Sequence, residues 1–148
     1  MSDVGLVQSL KIQSNDPIAY RGKIANAVKA DYLVSLHCDG SATNLDANLA
    51  KIIYKYTEPE TQSKTLGDEI KKSYTLIPGK VISDMANNPK NLLGVLSSKI
   101  NAKYKILIEM GYMTSPKHMK ILVDNSETIV NDIYNGIQNH ISKYYSEK

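Results

Sequence analysis

The sequence has 148 residues, of which 42% are hydrophobic and 22% charged, with a net charge of +3. This balance excludes a disordered or fibrous chain, and the length predicts that residues 1–148 form a single domain with its own core. No apolar run is long enough to span a membrane, the basic residues form no block of the kind that binds nucleic acid, and a single cysteine excludes a disulfide framework or a cysteine-based zinc site.

The first part of the chain predicts a strand, a helix and a second strand. Residues 4–12 are apolar enough for a weak strand. Residues 15–17, Asn-Asp-Pro, then combine a helix N-cap with proline at the first helical position, and apolar spacing continues the helix to about Lys29. Residues 32–36 form a short apolar run, closed by the turn residues 39–41, which predicts a buried strand.

The rest of the chain continues this alternation. Further strands are predicted at 49–56, 92–96 and 104–109, and helices from 57–60 to Pro78, at 114–122, and from Asn125 onward. Lysines 51 and 55 on one face of the first of these strands suggest a position toward a sheet edge. Residues 80–91 are predicted to be a loop, and the whole pattern predicts an α/β fold with a central, mainly parallel sheet flanked by helices.

Two chemically active side chains come at the carboxyl ends of predicted strands. His37 follows Leu33-Val34-Ser35-Leu36, and Glu109 follows Ile106-Leu107-Ile108. Open α/β sheets bind their ligands just past such ends, so we expect the two side chains to lie side by side, and an imidazole there can serve as a metal ligand or a general base. The structural alternatives are a strand cap for His37 and a salt bridge or helix cap for Glu109. His118 and His140 fall on predicted helices, where surface or hydrogen-bonded core positions are expected.

Taken together, these segments resemble the zinc-dependent N-acetylmuramoyl-L-alanine amidases of the third amidase type. The pattern of that family runs R, I-A-N, K-A-D and S-I-H-A-N, followed later by V-E-x-G-F and S-N-P. The matching positions here are Arg21, Ile24 to Asn26, Lys29 to Asp31, Ser35 to Asp39, Glu109, Gly111, Tyr112, Thr114 to Pro116, and Leu122. The resemblance covers nearly the whole chain.

The resemblance implies a peptidoglycan hydrolase that cleaves the amide bond between N-acetylmuramic acid and L-alanine with water activated by one zinc ion. His37 would be a zinc ligand, and Glu109 the catalytic carboxylate that carries the proton of the attacking water to the leaving nitrogen. Asp39 stands where the family usually has Asn. Strand alternation places Asp39 on the face of His37 and turns Cys38 away, so Asp39 is expected nearer the site.

The sequence also departs from the family pattern. It begins after the strand, the G-H-G-G-type loop and the glutamate-bearing helix that would supply two more zinc ligands, and it therefore resembles an amidase domain truncated at its N-terminus. We expect well under one zinc per isolated chain and little hydrolysis, with His118 the first residue to consider if a complete site is found. The alternative function is an inactive remnant that binds peptidoglycan or a partner, and the uncovered sheet predicts self-association.

The start of the chain, Met-Ser-Asp-Val-Gly, lacks the basic and apolar regions of a signal peptide. The expected localisation is therefore cytoplasmic at synthesis, with action on the cell wall after release or export, as for an endolysin. Peptidoglycan is the expected partner, and neither nucleic acid nor a membrane is expected to bind.

Overall fold

Strands and helices alternate along the part of the chain that the structure, a computed structural model, describes: residues 17–41, 48–57, 62–90 and 92–144, with side chains from Tyr20 onward. The strands are β1 (Tyr32–Asp39), β2 (Ala50–Tyr54), β3 (Gly79–Ser83) and β4 (Tyr104–Tyr112). The helices are α1 (Pro17–Ala27), α2 (Ser63–Ser73), α3 (Asp84–Asn87), α4 (Pro116–Asp124) and α5 (Ser126–Tyr144), and a 3-10 helix lies at Gly94–Leu96. This alternation confirms the predicted α/β class.

The four described strands form one sheet in the order β1-β4-β2-β3. β1 pairs with β4 and β2 pairs with β3 in parallel, whereas β2 and β4 run antiparallel. Two of the three strand pairings are therefore parallel, as the prediction of a mainly parallel sheet requires, and the sheet as a whole is mixed.

β4 lies inside the sheet because its sequence suits burial on both faces. Residues 104–108 of β4 are all buried. Ile106 and Ile108 pack with the apolar stripes of α2 and α5 on one face. Leu107 packs on the other face against Ile53 and the 3-10 helix. Such a near-continuous apolar run is typical of a strand covered by helices on both sides.

A left-handed residue ends α1 and directs the chain into β1. Lys29 has a φ of 52°, a conformation that L residues seldom adopt. The amide of Ala30 donates to the carbonyl of Ala25 at 2.9 Å, and that of Lys29 to Asn26 at 3.1 Å. These two bonds satisfy carbonyls in the last turn of the helix and set the turn after which β1 carries His37 to the sheet end.

The later helices begin and pack as predicted. The hydroxyl of Ser115 accepts from the amide of His118 at the start of α4, where Pro116 occupies the first turn. In α5, Ile129 and Ile133 are buried in the core with Ile70 of α2. Among the described helices, none combines the length and apolar character needed to cross a membrane.

The prediction of a loop at 80–91 is wrong. Residues Gly79–Ser83 form β3, which is held by its parallel ladder to β2, and Asp84–Asn87 form the short helix α3. The buried carboxylate of Asp84 accepts from the amide of Tyr56 at 3.1 Å and from Nζ of Lys55 at 3.3 Å. These bonds connect the end of β2 to the start of α3, and such long-range contacts leave no local sequence signal.

The predictions of a strand at 92–96 and of a sheet-edge position for the strand at 49–56 are also wrong. Val95 and Leu96 are both buried in the same cluster, and two consecutive residues reach one face from a helical turn but not from an alternating strand. β2 lies between β4 and β3, inside the described sheet. The strand predicted at 4–12, the N-cap at residues 15–16 and the helix start at 58–60 lie outside the described residues.

Gly136 allows α5 to pack directly on α2. A Cβ at this position would lie 2.5 Å from Cα of Ile70, a backbone atom that cannot rotate away. Gly136→Ala should therefore lower the free energy of unfolding by about 1–3 kcal/mol, despite alanine's better helix propensity. Urea unfolding measures the change. The control is Gly40→Ala, whose Cβ would have its nearest contact at 3.8 Å; equal midpoints for the two variants would contradict this packing.

Candidate active site at the carboxyl ends of β1 and β4

His37 and Glu109 lie side by side at one end of the sheet. They are register partners in the parallel pairing of β1 with β4. Register partners on neighbouring strands lie about 4.8 Å apart and point to the same face. The prediction that these two residues meet at the carboxyl edge is confirmed. His37 is exposed there, whereas Glu109 is half-buried.

Glu109 has one buried carboxylate oxygen that none of the described residues satisfies. Its Oε2 is buried and has no hydrogen-bond partner among the described residues. Burial raises the pKa of Glu109, and the nearby charge of Asp39 raises it further, whereas Lys51 opposes the shift. A carboxyl group whose pKa is raised toward neutrality can take up a proton and release it again, which is the property that general acid–base catalysis needs.

Asp39 is fully engaged, in contrast to Glu109. Its Oδ1 accepts from the amide of Gly40 at 2.8 Å, and its Oδ2 accepts from Nζ of Lys51 at 2.6 Å. Burial alone would raise the pKa of Asp39, but the bonds from Lys51 and Gly40 outweigh it and hold the pKa below its usual value. The same ion pair raises the pKa of Lys51 against the effect of burial. Asp39 is therefore a paired anion at the site.

The loops that follow β1 and β4 are joined to each other. The register shifts between His37 and Asp39, so that Asp39 pairs with Tyr112. The amide of Met113 donates to the carbonyl of Asp39 at 2.8 Å, and the amide of Ser41 donates to the hydroxyl of Thr114 at 3.0 Å. The shift and these bonds fix the strand ends that carry His37 and Glu109.

His118 is a hydrogen-bonded core residue. The sequence predicted either this or a surface position. The amide of Tyr112 donates to Nδ1 of His118, so Nε2 carries the ring proton and donates to Oδ1 of Asn48 at 2.9 Å. Burial lowers the pKa of His118. Gly111 makes room for the ring, since a Cβ there would lie 3.3 Å from Nδ1 and 2.8 Å from Cδ1 of Ile77. With both nitrogens occupied, His118 is not available to hold a metal.

His140 is likewise buried with both ring nitrogens occupied. The hydroxyl of Thr65 donates to the carbonyl of Gln62, so it accepts from Nε2 of His140, and Nδ1 then accepts from the hydroxyl of Tyr32 at 3.0 Å. The ring also stacks on Tyr144 at a centroid distance of 4.9 Å. Burial lowers the pKa of His140 as well. His37 is thus the one exposed histidine of the three in the sequence.

The described residues fit a metal only in part. An exposed imidazole beside a buried carboxylate oxygen without a partner is a donor pair that suits a cation such as zinc. Across the described residues, however, no group of three His, Cys, Asp or Glu side chains is arranged to hold a metal ion. His37 and Glu109 by themselves therefore fall short of a complete metal centre.

Sequence reasoning missed the contribution of Lys51. Lys51 is the register partner of Glu109 on β2, and its ammonium group lies 5.5 Å from the ring centroid of Tyr112. In the sequence the lysine appears only as one polar residue of an alternating strand. One indication of this ion pair was present in the sequence: Asp39 stands where the amidase pattern has asparagine. A half-buried extra charge needs a counter-ion.

Comparison with known proteins identifies the family. The family profile described as N-acetylmuramoyl-L-alanine amidase matches residues 4–139. This chain belongs to that amidase family. Comparison with curated proteins finds no match.

Solved amidase structures share the fold. The amidase from Clostridium difficile 630 has a TM-score of 0.72 and 22% identity, over 86% of this chain and 66% of that one. The amidase of Nostoc punctiforme has a TM-score of 0.69 and 21% identity, over 84% and 66%. The catalytic domain of an amidase from Bacillus (Paenibacillus) polymyxa var. colistinus has 0.68 and 21%, over 84% and 65%. The chain therefore spans slightly less than two thirds of these amidase chains.

The two buried histidines predict a loss of stability in mild acid. Because the folded-state pKa values of His118 and His140 are depressed from 6.5, the unfolded chain binds more protons below that pH. Stability should be complete above pH 6.5 and fall below it, by up to about 1.4 kcal/mol per pH unit for each histidine. Urea unfolding between pH 7.5 and 5.5 measures the slope. His37→Ala should retain it, and ring-proton titrations of His118 and His140 that show no depression would contradict the cause.

Proposed function

We propose that this chain is an amidase domain that hydrolyses the bond between N-acetylmuramic acid and L-alanine in peptidoglycan, with Glu109 and His37 as its reacting centre. The observation that carries the proposal is the in-register placement of an exposed imidazole beside a carboxylate whose inner oxygen has no partner among the described residues. Membership of the amidase family supplies the reaction class.

Glu109 is the proton carrier in this proposal. Its carboxylate accepts a proton from the attacking water and donates it to the leaving nitrogen of L-alanine. The raised pKa of Glu109 suits both steps, since a strongly acidic carboxylate would be a poor base and would seldom hold the proton it must return. The rigid strand β4 holds the carboxylate at a fixed height beside His37.

His37 is the proposed zinc ligand. It is exposed at the sheet end, and the other two histidines use both of their ring nitrogens in the core. Zinc, when bound, supplies a water molecule of lowered pKa and polarises the carbonyl of the amide. The ligands beyond His37 would come from outside the described residues or from a second chain, so His37 alone should hold zinc weakly.

The proposed place of action is the cell wall, because that is where the substrate lies. An endolysin, which reaches the wall when a cell lyses, is the proposed biological setting. Bacterial amidases and the catalytic domain of an endolysin are both among the solved structures with this fold.

Glu109→Gln tests the proton carrier. The substitution keeps the shape of the side chain but cannot carry the proton, so the release of L-alanine amino termini from purified cell walls in excess zinc should fall by about 100- to 10,000-fold. Glu127→Gln makes the same change on an exposed glutamate of α5 and should leave the rate unchanged.

Equal rates for the Glu109 and Glu127 variants would rule out the proposed role of Glu109. If no protein releases amino termini and all bind walls equally with and without chelator, the peptidoglycan-binding module would replace the enzyme as the function.

Zinc titration tests His37 without any assay of activity. In a sample with labelled histidine rings, zinc should shift the signals of His37 and leave those of His118 and His140 in place. The dialysed protein should hold well under one zinc per chain, since one imidazole gives little chelate advantage. His37→Ala should abolish the effect. Stoichiometric zinc retained by His37→Ala would contradict the assignment.

A further inference from the structure

At one edge of the sheet, the carboxyl ends of β1 and β4 and the amino end of β2 bring one ammonium group close to two carboxylates. Glu109 on the middle strand has Lys51 as its register partner on β2 and His37 as its partner on β1. Asp39 lies two residues beyond His37. Lys51 therefore has two anionic neighbours, and its three N–H donors allow it to bond to either of them.

Lys51 forms its ion pair with Asp39, although Glu109 is its register partner. Its Nζ lies 2.6 Å from Oδ2 of Asp39, an ion pair that joins β2 to β1 at the level of the last residues of β4. Opposite charges that face each other on antiparallel strands ordinarily attract, so Glu109 would be the default partner of Lys51. Oε2 of Glu109 nevertheless stays without a partner among the described residues.

The contacts around Asp39 favour it over Glu109 as the partner of Lys51. The amide of Gly40 donates to Oδ1 of Asp39 at 2.8 Å, a bond that orients the carboxylate independently of Lys51. The carbonyl of Asp39 is itself held by the amide of Met113. The side chains of Lys51 and Asp39 are only 19% and 25% exposed, so water weakens the pair less than it would at an open surface.

We propose that Asp39 is a positioning residue that draws Lys51 away from Glu109 and thereby leaves the Glu109 carboxylate unpaired for proton transfer. The inference rests on the proposed function for its catalytic consequence, but the change of partner is a structural statement that can be tested by itself. It also assigns different tasks to the two carboxylates: Asp39 binds the lysine, and Glu109 meets the substrate.

The proposal makes an unusual prediction about Asp39→Asn. A neutral amide side chain binds the ammonium group less strongly, so Lys51 should turn to its register partner. A crystal structure of Asp39→Asn should then place Nζ of Lys51 within hydrogen-bond distance of a Glu109 oxygen. Adding Lys51→Met should leave Glu109 unpaired again.

The rate of hydrolysis should fall in the single variant and recover in the double variant. Asp39→Asn should lower kcat by about tenfold or more with little change in KM, because Glu109 acts in the transition state and not in ground-state binding. The double variant Asp39→Asn with Lys51→Met should recover to within about threefold of the parent. A merely structural ion pair would give the reverse result, since the double variant would then be no better than the single one.

A matched control is available on α2. Lys64 and Asp68 form an exposed ion pair of 2.7 Å, and Asp68→Asn, alone or with Lys64→Met, makes the same charge changes away from the site. Both control proteins should match the parent. The proposal is overturned if Lys51 stays away from Glu109 in Asp39→Asn, or if the double variant fails to recover. If the parent stays inactive even in excess zinc, the proposed function fails, while the crystal structures still decide the change of partner.

Discussion

The pairing of β4 with a strand on each side is the constraint on which the rest of this structure depends. β4 contributes five consecutive buried residues to the core, and its two ladders join β1 to the pair formed by β2 and β3. The same ladders fix the neighbours of Glu109, because a shift of one residue would turn its side chain to the opposite face. The strand that holds the core together thus also determines what the carboxylate can contact.

Burial has opposite outcomes for the two carboxylates at this end of the sheet. Both are partly removed from water, which by itself raises the pKa of a carboxyl group. Asp39 recovers the lost solvation through Gly40 and Lys51, and its pKa falls below the usual value. Glu109 keeps a buried oxygen without a partner among the described residues, and its pKa rises. Burial without a compensating hydrogen bond thus raises the pKa of Glu109, whereas hydrogen bonds lower the pKa of Asp39 despite its burial.

The three histidines make the same point for imidazole. His118 and His140 are buried, each ring nitrogen is occupied, and the bonds that occupy them connect α4 to β4 and α5 to α2 and β1. Such rings contribute to packing and specificity of the core, and acid destabilises the fold through them. His37 stands at the sheet end with its ring exposed, where it can bind a ligand. Whether a histidine packs in the core or can bind a ligand is therefore decided by its position in the fold, which the residue type does not reveal.

The sequence by itself determined the α/β class, the strands that carry His37 and Glu109, and the helices of the second half, because these depend on local apolar spacing, caps and turns. It also indicated that the two residues meet, since parallel strands bring their carboxyl ends to one edge. Residues 80–83 and 92–96 were misread because β3 is stabilised by its ladder to β2 and the 3-10 helix by burial of Val95 and Leu96, contacts between residues far apart in the chain. The choice of Asp39 over Glu109 as the partner of Lys51 was likewise decided only by the tertiary structure. Strand order places the lysine beside both carboxylates, and the amide of the adjacent Gly40 orients the Asp39 carboxylate to receive it.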